Sequence, residues 1–139
     1  MTTQFMVQGQ PIGKIRPRFA LKGGHVQAYT PPKSTHYERQ IGKAYKLAGG
    51  QMFPEDVPIK VTMRIGMRIP LSVSRKKHEA MVCGLIRPLT KPDTDNVIKS
   101  VLDGLNGVAY ADDKQVTCVR AIKVYDDVPH ITVTVSEDD

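Results

Sequence analysis

The chain has 139 residues, of which 40% are hydrophobic and 24% charged; this excludes a disordered polymer and predicts one globular domain over residues 1–139. Cys83 and Cys118 stand apart with no CxxC spacing and no neighbouring zinc pattern, which excludes a disulfide scaffold or zinc module. No apolar run approaches the ~18 residues of a membrane span and no basic-then-apolar leader opens the sequence, so a cytoplasmic protein is expected. The net charge of +6 is unevenly spread: residues 1–92 hold 16 Lys/Arg against 4 Asp/Glu, and residues 93–139 hold 4 against 10. The basic portion suits a polyanion, since lysine and arginine that neutralise phosphates release counterions.

Residues 4–8 read as a first strand. Residues 9–18 contain two glycines and two prolines, which break helix, so a loop or edge strand is expected. If this stretch is extended, Lys14, Arg16 and Arg18 share one side and face DNA together. Gly23-Gly24 predicts a turn and residues 25–29 a returning strand, making a basic hairpin. Ser34 or Thr35 is positioned to cap a helix running to about Leu47, with Tyr37, Ile41, Ala44, Tyr45 and Ala48 as its core stripe. Residues 58–69 alternate apolar and polar side chains, the mark of a long half-buried strand. Ser74 to Met81 reads as a short basic helix and 82–92 as irregular. Residues 94–106 give the clearest helix. Residues 115–125 and 130–136 read as strands, joined by Asp126–Pro129 into a final hairpin. This order predicts an α+β domain with helices covering one face of a sheet.

The chemistry concentrates between Lys91 and Asp113. On a helix over 94–106, Val97, Ile98, Val101, Leu102 and Leu105 cover an arc of about 140°, which is the core face. Asp95, Lys99 and Asp103 then form one row at its edge, while Asp93 sits just before the helix, after Pro92. Two carboxylates held close repel, and a hard divalent cation relieves that repulsion. Mg²⁺ takes one or two carboxylates together with water and phosphate oxygens. Asp112-Asp113 lies beyond Gly107, where a return of the chain can bring it to Asp93. Lys99 can meet a phosphate, and Asn96 can orient a carboxylate or water. The same residues admit a purely structural reading. Aspartates at a helix start often cap it, Asp95–Lys99–Asp103 can be an exposed ladder, and Asp112-Asp113 a turn.

The run Pro92-Asp93-Thr94-Asp95-Asn96-Val97-Ile98-Lys99, continued by Asp103 and by Asp112-Asp113-Lys114-Gln115-Val116, resembles the signature of the RusA family of Holliday junction resolvases. The polar positions match over about 25 residues, and the likeness extends more weakly along the chain. The resemblance implies a two-layer α+β fold with a mixed sheet, and a homodimer that resolves four-way DNA junctions with Mg²⁺, leaving 5′-phosphate and 3′-hydroxyl ends. It assigns catalysis to Asp93, Asp95, Asp113 and Lys99, with the three aspartates as metal ligands. Asp112, Asn96 and Asp103 are expected to assist, and Lys14, Arg16, Arg18 and Lys91 to contact branched DNA. Small resolvases of this type occur in phages, so a phage or bacterial setting is expected. The alternative is a non-catalytic basic module that binds branched DNA and uses Asp93 and Asp95 as caps. An enzyme for small phosphorylated substrates lacks a Gly-rich phosphate loop. His25, His36, His78 and His130 show no ligand spacing.

Overall fold

In the computed structural model, which describes residues 1–139, the chain runs β1 (Thr2–Gln8), β2 (Arg18–Lys22), β3 (His25–Tyr29), α1 (Pro32–Leu47), β4 (Ile59–Arg68), α2 (Arg75–Val82), α3 (Thr94–Leu105), a 3₁₀ turn (Asp113–Gln115), β5 (Val116–Asp126) and β6 (His130–Glu137). Alternation in the sequence sets the sheet's two faces. Ile59, Val61, Met63, Ile65 and Met67 of β4, Ile131, Val133 and Val135 of β6, and Phe5 and Val7 of β1 are all buried on one face. Val97, Val101 and Leu105 of α3 and Tyr37, Ile41 and Tyr45 of α1 close that face in a single core cluster. The opposite face carries Gln4, Thr62, Arg64, Thr132 and Thr134 and has no helix over it. The architecture is therefore α+β in two layers, as the sequence predicts.

The sheet order is β1-β6-β4-β5, with β4 and β5 parallel and the other pairs antiparallel. This corrects the expected final hairpin. β5 and β6 do not pair, because β4 lies between them. Parallel neighbours need a crossover, and α2 with α3 supply it between β4 and β5. The chain then passes from β5 to β6 across the end of β4. Gly66 makes room for that passage: a Cβ there would lie 2.9 Å from the His130 carbonyl oxygen and 3.3 Å from Asp126 Cβ. Arg64 Nη1 meets Asp126 Oδ2 at 2.8 Å and ties the reversal to β4.

Helix α1 starts earlier than expected. Pro31 holds the N-cap position and Pro32 begins the helix, so neither Ser34 nor Thr35 is the cap. Proline suits the first helical position because its fixed φ matches the helix and its missing N–H would have no partner there. Ser34 is instead buried inside the first turn, where its hydroxyl donates to Glu38 Oε2 at 3.3 Å. Helices α1 and α3 cross at two glycines. A Cβ on Gly42 would lie 2.9 Å from the Gly104 carbonyl oxygen, and one on Gly104 would lie 2.8 Å from the Glu38 carbonyl oxygen. Glycine weakens a helix interior relative to alanine, so its presence at both positions marks a close approach of the two backbones. That approach sets Glu38 of α1 beside Asp103 of α3.

Candidate active site

Asp93 occupies the N-cap position of α3 with extended backbone (φ −67°, ψ 146°), yet its side chain makes no capping hydrogen bond. Its main-chain carbonyl accepts the first helical bond, from Val97 N at 3.1 Å. The carboxylate is thus exposed and has no hydrogen bond or ion pair to any protein group. Asp95, two residues on, is also exposed, and its Oδ1 accepts only the neighbouring Asn96 N–H, at 3.0 Å. Both carboxylates stand at the electropositive end of the helix, where anions are favoured.

The segment before the β2–β3 hairpin fastens along this helix. Lys14 N donates to the Asn96 carbonyl at 2.8 Å, and Ser100 Oγ donates to the Ile12 carbonyl at 2.9 Å. Between them Gly13 fits where nothing larger would: a Cβ would sit 2.9 Å from Pro92 Cβ and 3.0 Å from Asn96 Cβ. On the far side of the motif, Lys123 Nζ donates to the Thr90 carbonyl and holds the incoming loop to β5.

Lys99 lies one turn beyond Asp95. Its Nζ stands 3.3 Å from Asp103 Oδ1 and 3.7 Å from Asp113 Oδ2. Asp113, far along the chain, is thereby brought against the face of α3 that carries Asp95 and Lys99. The two aspartates of the pair divide their roles. Asp112 Oδ1 accepts the Lys114 N–H at 3.0 Å and, with Gln115, forms a reciprocal cap on the 3₁₀ turn. That hydrogen bond holds the Asp112 carboxyl below the usual aspartate range. Gln115 is buried, and its amide reaches the Pro54 and Val57 carbonyls at 2.9 and 3.3 Å, which anchors the turn. Tyr110 is buried at the same corner, and burial followed by the charges of Asp113 and Asp103 pushes its phenol well above the ordinary tyrosine value.

The expected DNA contacts separate into two kinds. Arg16, Arg18 and Lys91 are exposed and make no ion pair, so they are free for phosphate. Lys14 is not. Its side chain is 18% exposed, and its Nζ lies 3.0 Å from Glu38 Oε2 and 3.1 Å from Asp103 Oδ2. Burial disfavours its charge, but the bonds from Glu38 and Asp103 outweigh burial and raise its pKa above the ordinary lysine value. Lys14 therefore does not stand free beside Arg16 and Arg18: two carboxylates hold its ammonium. Two residues not singled out from the sequence join the site. Glu38 is one. Lys33 is the other; with Lys91, Asp93 and Asn96 it lines a cleft of about 650 Å³ beside the start of α3. Neither had a local signal, since both reach the motif only through the packing of α1.

No three acidic, histidine or cysteine side chains stand close enough together to enclose a metal ion. The donor chemistry nonetheless suits Mg²⁺, which needs only one or two carboxylates when water and a phosphate complete its shell. Asp93 and Asp95 have carboxylates open to such use, and Asp113 is shared with Lys99.

Residues 8–136 match the family described as endodeoxyribonuclease RusA. The match covers nearly the whole chain, and the protein belongs to that family of DNA-cleaving enzymes. It is also similar to a Bacillus subtilis (strain 168) protein, the uncharacterised YqaN, at 35% identity over 139 residues, which covers 96% of this chain and 95% of that one.

Proposed function

We propose that this protein is a Mg²⁺-dependent, structure-specific endonuclease that resolves four-way DNA junctions by paired nicks. The observation that carries the reading is Asp93: it holds the N-cap position of α3 and leaves its carboxylate unused. A binding module that needed Asp93 only as a helix cap has no reason to leave that bond unmade. A nuclease needs a carboxylate free to serve a metal and repelled by little else.

In this reading Asp93, Asp95 and Asp113 would hold the ion once it is bound, drawing together carboxylates that stand apart without it. Bound Mg²⁺ supplies Lewis-acid polarisation of a phosphate oxygen and a lowered pKa for water. The chain's own groups do the rest. Lys33 and Lys91 flank the cleft beside Asp93 and draw a phosphate into it. Lys99 sets a positive charge against the phosphate as its negative charge grows in the transition state, a form of stabilisation that needs no reorganisation. Asn96 lines the cleft and presents an amide to the bound water or the backbone. Arg16 and Arg18, beyond the fastened segment, neutralise phosphates of a flanking arm. A four-way junction has approximate two-fold symmetry and needs two opposed nicks, so a chain with one site acts as a two-fold dimer.

The test is Asp93→Asn. It is expected to abolish nicking of a synthetic junction in Mg²⁺ while leaving junction binding as tight or tighter, since one repelling carboxylate is gone. Binding lost in parallel with cleavage would place Asp93 in the fold or the DNA contact instead.

A further inference from the structure

We propose that Lys14 is a positioning residue for cleavage: it shares the charge of Asp103, so that Lys99, which stands between Asp103 and Asp113, is not drawn wholly to Asp103. The inference rests on the nuclease reading given above. Its basis is a continuous row of charges. Glu38 Oε1 and Oε2 lie 3.1 and 3.0 Å from Lys14 Nζ. Lys14 Nζ then lies 3.1 Å from Asp103 Oδ2, and Asp103 Oδ1 lies 3.3 Å from Lys99 Nζ. Lys99 finally stands 3.7 Å from Asp113.

The geometry sets the roles. Asp103 uses one oxygen for each lysine. Lys14, Glu38 and Asp103 are each less than one-fifth exposed, whereas Lys99 is about half exposed and can move. With Lys14 removed, Asp103 and Glu38 keep two negative charges in a poorly solvated corner. The mobile cation nearest them is Lys99. Attraction grows as solvent screening falls, so Lys99 would close on Asp103 and leave Asp113 and the phosphate position. Lys14 has no freedom to drift, because its own main-chain N–H is bonded to Asn96 and Gly13 beside it is wedged against Pro92 and Asn96. The ammonium is thus fixed to the helix whose charges it balances.

The experiment compares wild type, Lys14→Met, Asp103→Asn, the double variant and Lys14→Arg. Single-turnover cleavage of a four-way junction is measured in Mg²⁺, and junction affinity in Ca²⁺ at several salt concentrations. Lys14→Met should cut roughly 10- to 100-fold more slowly, the loss that a displacement of about an ångström brings, with affinity and salt dependence unchanged. Adding Asp103→Asn should restore much of the rate, since the charge that captures Lys99 is gone. Lys14→Arg should retain most of the activity. Lys14→Gln carries the same comparison should Lys14→Met fail to fold. A Lys14 variant that weakens binding and lowers the salt slope by about one would make Lys14 a phosphate contact and overturn the proposal. Equal slowing in the single and double variants would overturn it too, as a merely structural effect. A second readout does not depend on cleavage. Crystal structures of Lys14→Met should show the 3.7 Å Lys99–Asp113 separation lengthened and the 3.3 Å Lys99–Asp103 contact kept or tightened. An unchanged Lys99 position overturns the inference, whereas a wild-type protein that never cuts overturns only the nuclease reading.

Discussion

Asp112 and Asp113 are neighbours of identical chemistry, yet the fold gives them opposite tasks. Asp112 turns back to cap its own 3₁₀ turn, and Asp113 faces Lys99. Substituting each in turn should separate stability from activity. Asp113→Asn is expected to lose cleavage with little change in urea unfolding. Asp112→Ala, which removes the oxygen that accepts the Lys114 N–H, is expected to lower the unfolding midpoint while retaining cleavage wherever the protein remains folded. The reverse pattern would exchange their roles. At this scale the sequence revealed the motif's polar spacing well, because Asp95, Lys99 and Asp103 lie on one helix whose geometry orders them and Asp93 stands at its start. It could not reveal Lys14's partners. Glu38 is 24 residues away, and only the packing of α1 on α3 brings it there.

Among the elements, the crossing of α1 and α3 controls the site most directly. Gly104→Ala adds a methyl group 2.8 Å from the Glu38 carbonyl and 2.9 Å from Ile41 Cβ. Overpacking of this kind costs about 1–3 kcal/mol, and here it also pushes Glu38 away from the Lys14 ammonium that it shares with Asp103. Urea unfolding should show the loss, and cleavage by the folded fraction should fall as well. Full activity in the folded fraction would detach the crossing from the site. The reversal between β5 and β6 makes a pH prediction. The Arg64 hydrogen bond, with help from the Val128 N–H, holds the Asp126 carboxyl below its ordinary value of 3.8. A depressed folded-state pKa adds stability above the unfolded value, and that stability is lost as pH falls through the folded one. The stability gap between wild type and Asp126→Asn in urea should therefore be full at neutral pH and shrink below pH 3.8. A gap that persists in strong acid would assign Asp126 a role independent of charge. The reversal also shows where element reading fails. Strand periodicity identified β4, β5 and β6, because side-chain alternation is local. Their pairing was misread, because four residues between two strands fit a hairpin as easily as a step across a third strand. What decides is Gly66, whose missing side chain lets the chain pass, and the helical crossover that sets β5 parallel to β4.

For the whole molecule, the charge asymmetry of the sequence becomes an arrangement in space. The basic first portion supplies Arg16, Arg18 and Lys33, which lie in or near the segment that folds onto α3, while the acidic second portion supplies the carboxylates at the site. In the proposed reading a polyanion drawn to the lysines and arginines would meet the aspartates, and a junction's symmetry would call for two such chains. The direct test of this account is to incubate the purified protein with a four-way junction and with a linear duplex of matched sequence, in Mg²⁺ and in EDTA, and to map every cut. The account predicts paired nicks at symmetric positions on the junction only, in Mg²⁺ only. Tight junction binding without cleavage in any divalent metal would contradict it and leave a branched-DNA-binding module in its place.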